Sequence, residues 1–484
     1  MNFKAISRNV GYALLVSALF MFLSVGVSLL NGHDSGLAAL LVSSLITFIV
    51  GIFPFIFVSG TDALTLKDGY LTIVLSWLLS FIFGMLPYAL WGGPFTLANA
   101  WFESVSGYTT TGATVLSDIE ALPKSLLFWR SSTHFIGGLG VVVFLLLIIP
   151  NASPVKTRLT SMELSSLSRS GYTTRTNQTV YIFAYVYLAL TVLAFGSYLL
   201  CGMPAFDALC HAFSVCATGG FSTRNLSIAA FDSRPVELVT MIFMYLSSIH
   251  FGILYVAVVK RTLKPFNNPV LKFYTASLIV FSLVSGISLR MRGMEHSFGR
   301  ALWYGTFQTL STASTTGFAI IDNASWPLFT SILLLFTGVM CGCAGSTTCG
   351  VKADRVLLLL KAIGLQIDKI LHPASINEVK MGSKVLAAEE ASPHILYIAL
   401  YSFLLAISVV LSLMFGVSGH SSFAASVSSL SNVGPAIQEL GYLGNYSGVP
   451  LAAKLLYTFD MFLGRVEIFP ILAVVAMVFD RKKK

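Results

Sequence analysis

The run Ser106-Gly107-Tyr108-Thr109-Thr110-Thr111-Gly112-Ala113-Thr114 is short, uncharged and rich in oxygen, and it lies between two strongly apolar segments. Carbonyls and hydroxyls of this kind can replace a cation's hydration shell without fixed charge. A glycine permits backbone conformations that bring such carbonyls close together. One run alone would carry little meaning, since small polar residues also allow tight helix packing. The chain repeats it: Ser214 to Gly220, Ser311 to Gly317 and Ser428 to Gly434 follow the same grammar. Each copy has a serine six positions before the glycine and a small polar residue two before it: Thr110, Thr218, Thr315 and Asn432. The copies lie roughly one hundred residues apart, the mark of an internal repeat. Four in register favour one shared cation-ligating cavity over four accidents of packing.

The surroundings of these runs are those of a membrane. Of the 484 residues, 55% are hydrophobic and 11% charged, where a soluble domain carries about 25% charged residues. An integral protein of the lipid bilayer is expected. The net charge of +9 could suggest a nucleic-acid partner, but the basic residues sit in short loops between apolar spans. Membrane topology accounts for them, and no nucleic acid is expected. Cys341, Cys343 and Cys349 could be read as a metal cluster, yet their spacing fits no zinc pattern and no histidine is near. Small packing residues are the better reading.

Two apolar spans, about 10–30 and 37–58, precede the repeat. Each repeat then reads as span, short half-helix, polar loop, span. In unit one these are Tyr70–Trp91, Leu97–Gly107, the Gly112 loop and Leu126–Ile149; in unit two Val180–Leu200, Phe206–Cys216, the Gly220 loop and Val236–Val259. Unit three has Phe273–Leu289, Ala301–Thr312, the Gly317 loop and a span from Leu328; unit four has Ile395–Phe415, Ser422–Leu430, the Gly434 loop and Leu455–Val478. The expected fold is an all-α integral membrane protein. Two leading helices (1–66) are followed by four pseudo-symmetric units around one pore, at 67–165, 166–265, 266–385 and 386–484, with ten full crossings and four re-entrant half-helices. Half-helices would aim their partly negative C-terminal ends at the cavity, which favours a cation. Lys156, Arg158, Arg169, Arg175, Lys260, Arg261, Lys361, Lys369 and the tail Arg481-Lys482-Lys483-Lys484 fall on one side with the N-terminus. That side is expected to be cytoplasmic; Arg290, Arg292 and Arg300 are exceptions.

With these residues in view, the chain resembles the membrane subunit of the Trk/Ktr potassium-transport superfamily, Trk branch. The carrying segments are Thr109–Thr114, Thr218-Gly219-Gly220-Phe221-Ser222-Thr223, Thr315-Thr316-Gly317-Phe318, Asn432-Val433-Gly434-Pro435, Gly342-Cys343-Ala344-Gly345-Ser346-Thr347 and Gly464-Arg465-Val466-Glu467-Ile468. The resemblance covers essentially the whole chain. It implies potassium as the transported ion, uptake across a bacterial inner membrane, a homodimer, and a gating partner that is a cytosolic nucleotide-binding subunit. It further implies a filter at Thr110, Thr111, Gly112, Thr218, Gly219, Gly220, Thr315, Thr316, Gly317, Asn432, Val433 and Gly434. In plant relatives, serine for the first filter glycine goes with sodium permeation; all four glycines are present here. A symporter coupled to protons or sodium is the alternative.

Unit three is interrupted at Gly342–Gly350, where either the helix tolerates glycine or it unwinds. The resemblance implies an intramembrane gate loop with Gly342, Gly345, Ser346, Thr347, Gly350 and Lys352. Relatives carry further glycines where this chain has Thr348 and Cys349, which bears on the flexibility of the gate. Arg465 is an intramembrane charge and hence a functional candidate; the resemblance implies that it faces the gate loop, and a structural pair with Asp460 or Glu467 is the other reading. Acidic residues after the filters (Asp118, Glu120, Asp232, Asp322 and Glu439) either concentrate cations or are solvated loop residues. His134, His211 and His250 are either proton-coupling groups or hydrogen-bonded packing residues. Asp207 reads as an N-cap of the second half-helix. No nucleophile–base pair, His/Glu metal spacing or phosphate-binding glycine loop points to an enzyme.

Overall fold

The computed structural model describes residues 2–58, 65–140, 176–372, 379–381, 384–386, 388–435, 440–441 and 443–480. Helices α1 (Phe3–Leu30) and α2 (Leu37–Phe57) form a hairpin in which Gly11 and Gly51 let the two backbones meet. The repeat follows. Unit one has α3 (Leu66–Gly84) continued by α4 (Leu86–Trp91), the half-helix α5 (Leu97–Tyr108) and α6 (Lys124–Leu139). Unit two has α7 (Thr176–Leu200), half-helix α8 (Ala205–Cys216), α9 (Arg234–Ser248) and α10 (Phe251–Val259). Unit three has α11 (Pro269–Met291), half-helix α12 (Phe298–Ala313), α13 (Leu328–Val339) and α14 (Ala353–Leu371). Unit four has α15 (Ala388–Met414), half-helix α16 (Gly419–Ser431), α17 (Leu451–Val466) and α18 (Ile468–Asp480). A short antiparallel hairpin, β1 (Val379–Met381) with β2 (Lys384–Leu386), lies in the long polar connection before α15 and is, among the described residues, the departure from an all-helical chain.

Six described helices are long and apolar enough to cross a bilayer, and the bent pair α9–α10 makes up to seven. The sequence reading expected ten continuous crossings, and the difference lies in the segments that close the units. Val236–Val259 is not one straight helix: α9 and α10 meet at a bend of 100°. Leu455–Val478 breaks at Glu467, whose φ is +63°. The span from Leu328 stops at Val339, as the interruption at Gly342–Gly350 foretold. In unit one the helix ends at Leu139, with Gly140 at φ +80°, and the remainder of Leu126–Ile149 lies outside the described residues. Breakage is therefore seen in units two and four as well as in the third. A broken helix leaves carbonyls and amides that membrane lipid cannot satisfy. The next section shows where they go.

Candidate functional site

Each half-helix ends in the same way. The residue two before the glycine is left-handed: Thr110 φ 54°, Thr218 55°, Thr315 54° and Asn432 56°. Its amide bonds back to Gly107, Val215, Thr312 or Ser429 at 2.9–3.2 Å. The next amide, of Thr111, Gly219, Thr316 or Val433, reaches the carbonyl of Ser106, Ser214, Ser311 or Ser428 at 2.9 Å in all four. These are paired 5→2 and 6→1 bonds around a left-handed residue, the Schellman ending of a helix. So the repeated serine and the repeated small polar residue are the two ends of one capping bond pattern. In units one and three the serine hydroxyl also holds the strand beyond: Ser106 Oγ donates to the Ala113 carbonyl and Ser311 Oγ to that of Phe318, both at 2.6 Å.

The four glycines follow with φ of 78°, 81°, 77° and 91° for Gly112, Gly220, Gly317 and Gly434, a region L side chains rarely enter. Space forbids a side chain as well. A methyl on Gly112 would strike the Gly219 carbonyl; on Gly220, that of Thr316; on Gly317, that of Val433; on Gly434, that of Thr111. The contacts run from unit one to two, three, four and back to one. Four loops placed by helices of separate units thus close a ring of carbonyls. A cavity of about 170 Å³ opens on one side of it, with all four glycines, Thr114, Arg130, Ser222, Arg224 and Tyr446 in its lining.

The ring is braced from behind. His134 on α6 places Nδ1 2.7 Å from the Gly107 carbonyl, and its Nε2 accepts from the Phe221 amide at 3.1 Å. Its imidazole stacks on Phe221 at 4.1 Å between centroids. Arg130, one turn away, lies 3.5 Å over the same phenyl ring and donates to the Ser222 carbonyl. The Arg130 guanidinium is paired with Glu103 at 2.6 Å, both fully buried. Glu103 in turn accepts from Thr114 Oγ1 and the Val115 amide. In unit two His211 lies on half-helix α8, nine residues before Gly220 as Glu103 is before Gly112, with Nε2 2.9 Å from Ser222 Oγ and Nδ1 2.7 Å from the Asp207 carbonyl. Both ring nitrogens of His134 and of His211 are thus engaged in hydrogen bonds. His250 caps α10, its Nδ1 accepting from the Gly252 amide. Asp207 is not the cap of α8, where Pro204 stands; it sits in the first turn and binds Thr223 Oγ1 at 2.6 Å and Arg224 at 2.8 Å. The Glu103–Arg130 pair escaped the sequence reading, although two charges inside apolar segments were a signal that they had a role.

On the other side of the ring, the end of α6 meets the helix breaks of units two, three and four. The loop from Met340 to Lys352 is non-helical and closed at its neck by the Val351 amide on the Val339 carbonyl at 3.1 Å. It enters the bend of unit two: Cys343 and Thr347 amides reach the carbonyls of Ser248 and Ser247, and the Phe251 amide reaches Gly345. Thr347 Oγ1 shares its proton between the Cys216 and Ser247 carbonyls, each at 3.1 Å. Gly342 lies against Ser248 and Gly345 against the His250 ring, while Gly350 turns at φ +72°. Ser346 Oγ bonds Cys343 O and Thr348 Oγ1 within the loop. The groups freed by the bend are thereby satisfied by the loop, as backbone at membrane depth requires.

Arg465, the next to last residue of α17, completes the junction. Its Nη1 donates to Thr110 Oγ1 at 3.0 Å, to the Thr347 carbonyl at 2.9 Å and to Cys349 Sγ at 3.0 Å. Its Nη2 donates to the carbonyls of Gly137 and Gly138 at the end of α6. A cation is well placed there, where a helix terminus leaves acceptors and a partial negative charge. Neither pairing considered for Arg465 from sequence occurs. Asp460 bonds Ser408 Oγ, and Glu467 takes Arg355 at 2.8 Å and Lys352 at 3.9 Å. Lys352 thus ends the loop facing Glu467. A cavity of about 140 Å³ lies under the junction, lined by Thr347, Thr348, Cys349, Lys352, Arg465 and Glu467 among others.

Of the acidic residues after the loops, Asp118 and Glu120 contact Asn225 and Arg224, which line the cavity of about 170 Å³. Asp118 Oδ1 accepts from Asn225 Nδ2 at 2.8 Å, a bond that holds its carboxyl below the ordinary aspartate range. Glu120 lies 3.7 Å from Arg224. Asp232 ends a 3-10 turn, Asp322 accepts from the Ala324 amide, and Glu439 lies outside the described residues.

The sequence matches the family described as TrkH, cation transport protein, over residues 41–283 and 270–483. A Trk system potassium uptake protein TrkH of Halomonas elongata is 32% identical over 488 residues, covering all of both chains. One of Vibrio parahaemolyticus is 30% identical over 486 residues, covering 99% of this chain and 100% of its own. The crystal structure of the potassium transporter TrkH from Vibrio parahaemolyticus superposes with a TM-score of 0.87 at 30% identity, over 98% of each chain. With its multiple apolar spans and near full-length agreement in sequence and fold, this chain is a multi-pass membrane protein of the TrkH cation-transport family, in the Trk branch.

Proposed function

We propose that this protein takes up potassium through the ring of the four glycine loops. The observation that carries this reading is the closed cycle of contacts Gly112–Gly219, Gly220–Thr316, Gly317–Val433 and Gly434–Thr111. Carbonyl rings without fixed charge suit a large, weakly hydrated cation, and the similar Halomonas and Vibrio proteins are named for potassium uptake. The filter residues are Thr110–Gly112, Thr218–Gly220, Thr315–Gly317 and Asn432–Gly434. Loop 340–352 and Arg465 form the gate. A cation roughly 6 Å from the guanidinium is opposed by about 3 kcal/mol at an effective protein dielectric of 20, on the order of a hundredfold in occupancy. Displacing Arg465 together with the loop is therefore enough to switch flux. In this reading the protein is a homodimer in a bacterial inner membrane with both termini cytoplasmic, and a cytosolic nucleotide-binding subunit moves the gate.

Rubidium uptake into proteoliposomes tests the reading, with potassium and sodium as competitors and a proton gradient applied or abolished. Inhibition by potassium but not sodium, with or without the gradient, is expected. Uptake that requires the proton or a sodium gradient would replace the channel-like reading by a symporter. His134 and His211, with both ring nitrogens engaged, support the former.

A further inference from the structure

We infer that Cys341 and Cys349 form a modification site: a reversible disulfide across the neck of loop 340–352. This rests on the gating role proposed for the loop. The neck is pinned where the Val351 amide meets the Val339 carbonyl. Cys341 and Cys349 are each two residues inward from that pair, near the narrowest part of the loop. The Cys341 thiol already lies against the Cys349 carbonyl, and a methyl on Gly350 would come within 3.3 Å of its sulfur. Both thiols are free and buried, but Cys349 borders the inner cavity of about 140 Å³, which admits a small reagent. Arg465 Nη1 sits 3.0 Å from the Cys349 sulfur. Negative charge that develops on that sulfur during exchange meets a cation and a charge-assisted hydrogen bond.

The co-reactant is a low-molecular-weight disulfide. Cys349 attacks one of its sulfurs and releases one small thiol, and Cys341 then displaces the second. Two protein thiols become one disulfide while one small disulfide is reduced to two thiols, and two thiol protons leave with the products. The bond takes the Cys349 sulfur from Arg465 and ties the neck, so the loop stays across the pore.

The full-length protein in proteoliposomes is treated with oxidised glutathione and digested for mass spectrometry, with rubidium uptake followed in parallel. The expected result is a peptide pair joined through Cys341 and Cys349, a severalfold fall in uptake, and recovery of both with dithiothreitol. Cys341→Ser and Cys349→Ser should each give uptake that oxidised glutathione leaves unchanged. No crosslink between Cys341 and Cys349 under conditions that label Cys349 with a small maleimide would overturn the site. A crosslink with unchanged or raised uptake would overturn its effect on the gate. A protein that forms the crosslink but takes up no rubidium before or after it would count against the transport reading, not against the disulfide.

Discussion

The Arg465 guanidinium donates to the hydroxyl of Thr110 across 3.0 Å, although the two residues stand 355 apart in sequence. Thr110 is the left-handed cap of the first half-helix, and Arg465 stands at the break of the last closing helix. One side chain thus joins the bottom of a glycine loop, the 340–352 loop and the end of α6.

Removing that link should open the pathway. Arg465→Gln keeps length and some donors but loses the charge, and rubidium uptake without any partner protein should rise by on the order of tenfold or more, given the barrier of about 3 kcal/mol attributed to the charge. Arg465→Lys retains the charge but has no fork to span Thr347 and Gly137, so its uptake should fall between the two. Flux assays on the three proteins check the order.

The ring glycines should tolerate no side chain. Gly112→Ala imposes a left-handed alanine, about 1–2 kcal/mol, in addition to the clash with the Gly219 carbonyl. The neighbouring loop must shift, so potassium should lose its advantage over sodium as a competitor. Gly434→Ala, against Thr111, should behave alike, because the contacts form one cycle.

The Glu103–Arg130 pair should govern stability more than selectivity. Removing one partner of a buried pair costs about 3–5 kcal/mol, so Glu103→Gln and Arg130→Met should each lower the unfolding temperature in detergent. The double substitution Glu103→Gln with Arg130→Met should recover part of the loss, since no lone charge remains buried. Additive losses would contradict the pairing as the source of the effect.

Thr347 should hold the loop in place. Thr347→Val removes the hydroxyl whose single proton the Cys216 and Ser247 carbonyls share, a bond worth about 1 kcal/mol. Loop 340–352 should detach more readily from the bend of unit two. Faster labelling of Cys349 by a maleimide, with raised rubidium uptake, is the expected outcome.

Much of the site could be read from the chain because the cap is local. Ser106 and Thr111, or Ser428 and Val433, exchange a bond within six residues, and such short-range geometry leaves the same residue types at the same offsets four times over. The broken helix in unit three carried its own signal in Gly342, Gly345 and Gly350. The breaks at Ile249–His250 and Glu467 carried none. Gly252, Gly464 and Pro470 stand within three residues of them, but such residues are common in apolar spans, and what holds the breaks is distant: loop 340–352 takes up the backbone groups of the unit-two bend, and Arg355 and Lys352 pair with Glu467. The same holds for Asp207, which reads as a cap from its position but is drawn by Thr223 and Arg224. Sequence by itself determined the membrane class, the fourfold repeat and the turn at each glycine, all products of composition or of contacts a few residues long. Only the tertiary structure decided that the turns close one ring, that the breaks gather beneath it, and that Arg465 binds Thr110 and Thr347 instead of its own neighbours, because hydrogen bonds between residues hundreds of positions apart leave no spacing to read.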